Sequence, residues 1–125
     1  MTVLIDSWTW IECWKGGQYS KKAASYLDGD EEAVVSTINI AEIYFWIMKY
    51  YDEGVAEKKV AIIEKRCAVM PVDRDIALES AKIKKMHKLA LADSIVLATA
   101  RSVEGSVVTG DSDFRGIDDV ILLSR

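Results

Sequence analysis

Short apolar runs alternate along this chain with longer stretches in which apolar residues recur every three or four positions. Five runs read as buried strands: Thr2 to Asp6, Ala33-Val34-Val35, Ala68-Val69-Met70, Ser106 to Thr109, and Val120 to Leu123. The stretches between them read as helices. The first covers Trp8 to Trp14 and ends near Gly16-Gly17; the second covers Ser20 to Leu27 and stops at Asp28-Gly29. A third, capped by Ser36 or Thr37, runs through Tyr51 until Gly54 breaks it, and a fourth covers Val55 to Arg66. Two more are expected over Asp73 to Lys85, where Ile76, Ala77, Ser80, Ile83 and Lys84 trace the helical period, and over Leu91 to Arg101. Strands that alternate with helices predict an α/β fold, with a parallel sheet covered on both faces.

Composition narrows this little further. A chain of 125 residues, half of them hydrophobic, has the size and apolar content of one domain with a sizeable core. Pro71 is its one proline and no Gly/Ser-rich linker interrupts it, so a single domain over 1–125 is expected. No apolar run has membrane-spanning length, and the first residues lack the basic and apolar regions of a signal peptide. The expectation is a cytoplasmic protein with no membrane partner. Cys13 and Cys67 form neither a disulfide framework nor a zinc-ligand cluster and read as free thiols. A net charge of −4 argues against a protein that coats nucleic acid. It leaves a nuclease open, because a metal site needs acids and bound cations reverse the local field.

The informative residues are acids in places that do not favour folding. Val3-Leu4-Ile5 runs straight into Asp6, and Val107-Val108-Thr109-Gly110 delivers Asp111, with Asp113 two residues on. An unpaired carboxylate where a buried strand ends is costly. Glu42 shares a helical face with Ile38, Phe45 and Trp46, and Asp93 one with Val96 and Leu97. Either could simply favour a helix dipole, worth under about 1 kcal/mol on a surface. Together with Asp6 and Asp111, both at the carboxyl ends of parallel strands where α/β folds place ligands, they suggest one acidic rim. Four uncompensated acids would repel one another, and a divalent cation relieves that repulsion. Oxygen ligands with no His or Cys nearby favour Mg²⁺ or Mn²⁺, whose usual work is phosphoryl chemistry. Asp113 either approaches the metal through water or caps the turn before Phe114. Thr109 reads as a hydroxyl that holds a carboxylate or a metal-bound water; Ser7 fits that role and a local turn role equally.

At these residues the chain resembles the PIN-domain family, and within it the VapC-like ribonuclease toxins of type II toxin–antitoxin modules. The resemblance runs from Val3-Leu-Ile-Asp-Ser-Trp8 to Val120-Ile-Leu-Leu123. It is carried in order by Asp6-Ser7, Ser36-Thr-Ile-Asn-Ile-Ala-Glu42, Leu89-Ala-Leu-Ala-Asp-Ser94 leading into Ala98-Thr-Ala100, and Val107-Val-Thr-Gly-Asp-Ser-Asp-Phe114. It implies a three-layer α/β/α sandwich with a central parallel sheet, and Mg²⁺- or Mn²⁺-dependent endonuclease action on RNA. It carries over Asp6, Glu42, Asp93 and Asp111 as the acidic quartet, with Asp113 as a frequent extra acid. It further implies a homodimer and a VapB-like antitoxin that reaches into the acidic site. One departure is visible: where many relatives carry glycine before the third motif, this chain has Lys88.

Other residues have both a functional and a plainer reading. Lys82, Lys84, Lys85 and Lys88 could form a basic edge that grips RNA phosphates beside Asp93, although a solvated helix face explains them more simply. Arg115 could touch a phosphate or pair with Asp113. His87, the one histidine, reads as a surface residue, since a metal-bound hydroxide needs no base. Trp8, Trp10, Trp14 and Trp46 could stack bases, but lie among apolar neighbours that favour packing. Tyr44, Tyr50 and Tyr51 are candidates for a dimer face. Against the toxin reading stand an RNA-processing nuclease without an antitoxin, and a binding module on the same scaffold. The module would be expected to have lost acids. A phosphoaspartyl enzyme using Asp6 would want a second acid where Trp8 stands.

Overall fold

The computed structural model of the chain describes residues 1–124. It contains five strands, β1 (Thr2–Ile5), β2 (Glu32–Ser36), β3 (Ala68–Met70), β4 (Ser106–Thr109) and β5 (Val120–Leu122). The helices are α1 (Ser7–Lys15), α2 (Ser20–Leu27), α3 (Thr37–Tyr50), α4 (Glu53–Arg66), α5 (Arg74–His87) and α6 (Leu91–Ser102). The strands form one sheet in the order β3-β2-β1-β4-β5, with every pair parallel. The two-residue period of a strand sends neighbours to opposite faces. Val3 and Ile5 of β1, Ala33 and Val35 of β2 and Val108 of β4 pack with α1 to α4, through Trp10, Ala23, Ile43, Ile47, Ala56 and Ile63. Leu4, Val34 and Val107 face the other way, into a core built with Ile76 and Ile83 of α5 and Val96, Leu97, Ala98 and Ala100 of α6. The result is the three-layer α/β/α sandwich with a central parallel sheet.

The connections set where a site can lie. From β1 to β2 and from β2 to β3 the chain crosses the sheet on the α1–α4 face. From β3 to β4 it returns on the α5–α6 face and inserts β4 beside β1. Strand order therefore reverses between β1 and β4, and at such a point the two loops leave in opposite directions and open a crevice above the carboxyl ends.

Element ends follow local chemistry. Ser36 begins α3 in a capping box: its hydroxyl accepts from the Ile38 N–H, and Asn39 accepts from the Ser36 N–H. The expected break at Gly54 falls earlier. Asp52 accepts from the Val55 N–H at 2.9 Å and starts α4 at Glu53, so Gly54 lies inside the first turn. Asp73 caps α5 in the same way, through the Ile76 N–H. That helix continues past Lys85 to His87, and its buried stripe is Ile76, Ser80 and Ile83; Ala77 and Lys84 are exposed. It ends at Lys88, which adopts the left-handed conformation at φ 57° and ψ 33°, and the Lys84 ammonium closes the turn by donating to the Leu89 carbonyl at 3.0 Å. The left-handed backbone explains why glycine is the natural occupant of position 88.

Candidate functional site

Asp6 follows β1 and occupies the N-cap position of α1, yet its side chain makes no capping bond. Its carboxylate turns instead to Thr109 of β4 and Asn39 of α3 and is almost wholly buried, at 5 % exposure. Oδ2 accepts from the Thr109 hydroxyl at 2.8 Å, and Oδ1 accepts from the Asn39 amide nitrogen at 3.1 Å. Thr109 Oγ1 in turn accepts from the Asp111 N–H at 3.1 Å. Ser7 Oγ accepts from the same Asn39 amide at 3.0 Å and donates to Glu42 Oε1 at 2.7 Å. Ser7 and Thr109 thus both bond side chains of the acidic rim.

Glu42 projects from the second turn of α3 on its exposed flank, beside the buried stripe of Asn39, Ile43 and Ile47. Asp93 lies in the first turn of α6 and is half-buried. Asp111 leaves β4, and a single 3₁₀ turn over Ser112–Phe114 brings Asp113 round beside it. Each of Asp93, Asp111 and Asp113 offers a carboxylate oxygen, and these three atoms lie within 4.8 Å of one another. The cap of the turn before Phe114 is Asp111, whose Oδ1 accepts from the Asp113 N–H at 3.0 Å; Asp113 itself is exposed and free to face the cluster.

The acids sense one another. Burial, more than any other cause, pushes the Asp6 carboxyl up from 3.8 to about 7, with Glu42 and Asp93 adding repulsion and the Thr109 bond opposing it. Burial followed by repulsion from Asp111, Glu42 and Asp113 raises Asp93 from 3.8 to about 6. Elsewhere acids such as Glu12, Glu31 and Asp119 lie against Lys15, Arg66 and Arg101. Among the described residues no ion pair includes Asp6, Glu42, Asp93, Asp111 or Asp113. The donor set is all oxygen, hard, and short of positive charge, which suits a small divalent cation and gives a thiophilic metal nothing to bind.

The PIN domain family model matches residues 3–120. The chain belongs to the PIN domain family. Solved structures agree with the match. A toxin–antitoxin complex from Klebsiella pneumoniae is 27% identical, covers 95% of each chain and superposes with a TM-score of 0.79. The sarcin–ricin-loop-cleaving toxin VapC20 of Mycobacterium tuberculosis is 15% identical over 94% of this chain and 96% of its own, with a TM-score of 0.78. VapBC-1 from nontypeable Haemophilus influenzae is 18% identical over 100% of both chains, with a TM-score of 0.76. No functionally curated protein matches the sequence.

Within this PIN domain one participant escapes the sequence pattern. Asn39 is fully buried and bridges Asp6, Ser7 and the Ser36 backbone. Its one sequence signal is position: a polar residue three before Glu42, where the helix would otherwise bury an apolar side chain.

The basic residues divide. Lys82 lies 3.9 Å from Glu79, and Lys84 is engaged with Leu89, whereas Lys85 in the last turn of α5 and Lys88 at its end are exposed. Arg115 is exposed, and no ion pair joins it to Asp113. The tryptophans pack. Trp10 is buried and donates to the Ile5 carbonyl at 3.1 Å, and Trp14 and Trp46 lie against the α1–α4 core. The Trp8 indole covers Gly110, where any Cβ would collide with it. Cys13 and Cys67 are free. His87, half-buried, ends α5. No helix among the described residues is long and apolar enough to cross a membrane.

Proposed function

We propose that residues 1–125 form a single PIN-like nuclease domain that cleaves RNA phosphodiester bonds with Mg²⁺ or Mn²⁺. We further propose that the chain is the toxin of a type II toxin–antitoxin pair and acts in the cytoplasm. The observation that carries the reading is the group of five carboxylates without a basic partner, at the crevice where strand order reverses. Asp6, Asp93, Asp111 and Asp113 would hold the cation, with Glu42 at the flank; the carboxylate oxygens of Asp93, Asp111 and Asp113 already lie within 4.8 Å of one another. The chemistry that a divalent cation supplies at such a site is neutralisation of phosphate charge and activation of a water. The chain's own part is to orient the acids. Asn39 and Thr109 fix Asp6, Ser7 fixes Glu42, and the Asp113 N–H fixes Asp111. Asp6 and Asp93, proton-binding near neutrality when no cation is present, would release protons as one binds. Lys85, Lys88 and Arg115, all exposed, are the cations proposed to meet phosphates of the strand.

Two observations support a protein partner. The Klebsiella relative is a toxin–antitoxin complex. Phe45, Met48 and Tyr50 of α3 and Tyr51 just after it are exposed, 65 % in the case of Phe45, and this apolar end of α3 is the proposed docking face. A VapB-like antitoxin and a second copy of the chain are its proposed occupants.

The test is cleavage of RNA by the purified chain with Mg²⁺ or Mn²⁺, and sequencing of the RNA ends after induced expression. Chelator, Asp6→Asn and Asp93→Asn should each abolish the cuts. Cleavage that survives both substitutions overturns the site, and intact RNA after long incubation with Mn²⁺ leaves a binding module as the better reading. A neighbouring reading frame for a small DNA-binding protein separates toxin from processing nuclease.

A further inference from the structure

The hydrogen bonds around Asp6 have a direction that is imposed from outside the site. A backbone N–H can only donate. The Ser36 N–H points at one end of the Asn39 amide, 2.9 Å away, so that end is the oxygen and the other is the NH₂ group. The NH₂ group faces Asp6 Oδ1 at 3.1 Å and Ser7 Oγ at 3.0 Å, and both must accept from it. With that contact fixed, the single Ser7 proton goes to Glu42 Oε1 at 2.7 Å. The opposite side repeats the logic. The Asp111 N–H donates to Thr109 Oγ1 at 3.1 Å, which sends the Thr109 proton to Asp6 Oδ2 at 2.8 Å. Two backbone N–H groups, one at the end of β2 and one beyond β4, thereby set the polarity of Asp6 through one side chain each.

We propose that Asn39 is a positioning residue of the acidic site, relaying the donor polarity of the Ser36 N–H so that Asp6 and, through Ser7, Glu42 are both held as acceptors for a divalent cation. This rests on the cation-dependent reading above. A plainer role exists, since the Asn39 oxygen completes the cap of α3. Capping needs the oxygen alone. The NH₂ group contributes nothing to the cap, yet it makes both contacts to the site.

Asn39→Asp separates the two roles. It keeps the shape and the oxygen that caps α3. It replaces the donor by a second carboxylate oxygen against Asp6. With MnCl₂ titrated calorimetrically into the full chain, the relay predicts a 10- to 100-fold loss of affinity, the range usual for residues that orient metal ligands. It predicts a comparable fall in kcat for RNA with KM little changed, in a chain that circular dichroism shows to be folded. Parental Mn²⁺ affinity in a folded Asn39→Asp overturns the proposal. If Asn39→Asp does not fold, Ser7→Ala breaks only the branch to Glu42; a several-fold loss of Mn²⁺ affinity supports the relay and none overturns it. A third measurement is independent of the metal. In a crystal structure of cation-free Asn39→Asp grown at pH 9, where the two carboxyls no longer share a proton, the Asp6 carboxylate should have turned away from position 39; Asp6 and Ser7 in their parental places would refute the relay. Should the parent chain bind no Mn²⁺ at all, the cation-dependent reading falls, and this last measurement still decides the role of Asn39.

Discussion

The Thr109 hydroxyl donates to Asp6 Oδ2 at 2.8 Å, joining residues 103 positions apart at the ends of adjacent strands. Thr109 is completely buried and its oxygen also receives the Asp111 N–H. One hydroxyl therefore serves the acids at the ends of both β1 and β4. Thr109→Val keeps the shape and orphans both groups. A buried polar group without a partner costs about 1–3 kcal/mol, so urea unfolding should show a loss of that order. Thr109→Ser should recover most of it. A valine variant as stable as the parent would mean that neither group depends on the hydroxyl.

The raised acids make stability depend on pH in a definite direction. Asp6 has a folded value of about 7 against 3.8 for an ordinary aspartate, and Asp93 moves the same way, to about 6. Between those limits the folded chain keeps protons that the unfolded chain has shed, so stability falls as pH rises through the window and levels off above it. Each tenfold change in proton affinity corresponds to about 1.4 kcal/mol, so Asp6 alone costs the cation-free fold a few kcal/mol at pH 8. The thermal midpoint should be higher at pH 6 than at pH 8 without metal. Saturating Mn²⁺ should raise it most at pH 8, and Asp6→Asn should flatten the cation-free profile. A midpoint that climbs from pH 6 to pH 8 in the absence of metal would contradict these shifts.

Lys88 sits in a backbone conformation that glycine adopts without penalty. Lys88→Gly should stabilise the chain by roughly 0.5–1 kcal/mol in urea unfolding. If Lys88 also grips phosphate, the same change should weaken RNA binding and lower the salt dependence of affinity by about one unit of slope. Stabilisation with unaltered RNA affinity would leave Lys88 as an ordinary helix end.

Trp8 and Gly110 form a lock beside Asp111. Gly110→Ala must displace the indole, and forced overpacking of this kind costs about 1–3 kcal/mol. Trp8→Ala should suppress most of the added cost of Gly110→Ala, which a double-mutant cycle measures as a coupling. Strict additivity would mean that the loop, not the indole, absorbs the extra methyl.

What the sequence made legible, and what it hid, follows from the range of each interaction. Asp6 and Asp111 stood out because an apolar run ended in an acid, a pattern readable within a few residues. The strands were equally local, since two-residue alternation and short apolar runs need no partner to be recognised. Asn39 was not legible, because its role exists only once Ser7 and Asp6, 32 and 33 residues away, are placed beside it. The helix break moved from Gly54 to Asp52 because a carboxylate that satisfies an N–H outweighs the modest cost of glycine in a first turn. The sequence left Asp113 alone between approaching a metal and capping the turn before Phe114; the 3₁₀ turn gave the capping bond to Asp111 and left Asp113 exposed beside it.

The position of β4 beside β1 has a consequence for the growing polypeptide. β1 ends at Ile5, but its partner spans Ser106–Thr109 and Asp111 lies beyond that. About a hundred residues must be synthesised between the two before Asp6 and Asp111 can meet, so a polypeptide interrupted before Ser106 carries the Asp6 end of the rim and no cluster. Whatever the rim binds, it can bind only after β4 has joined the sheet, and the order of synthesis thereby sets the order in which fold and site appear.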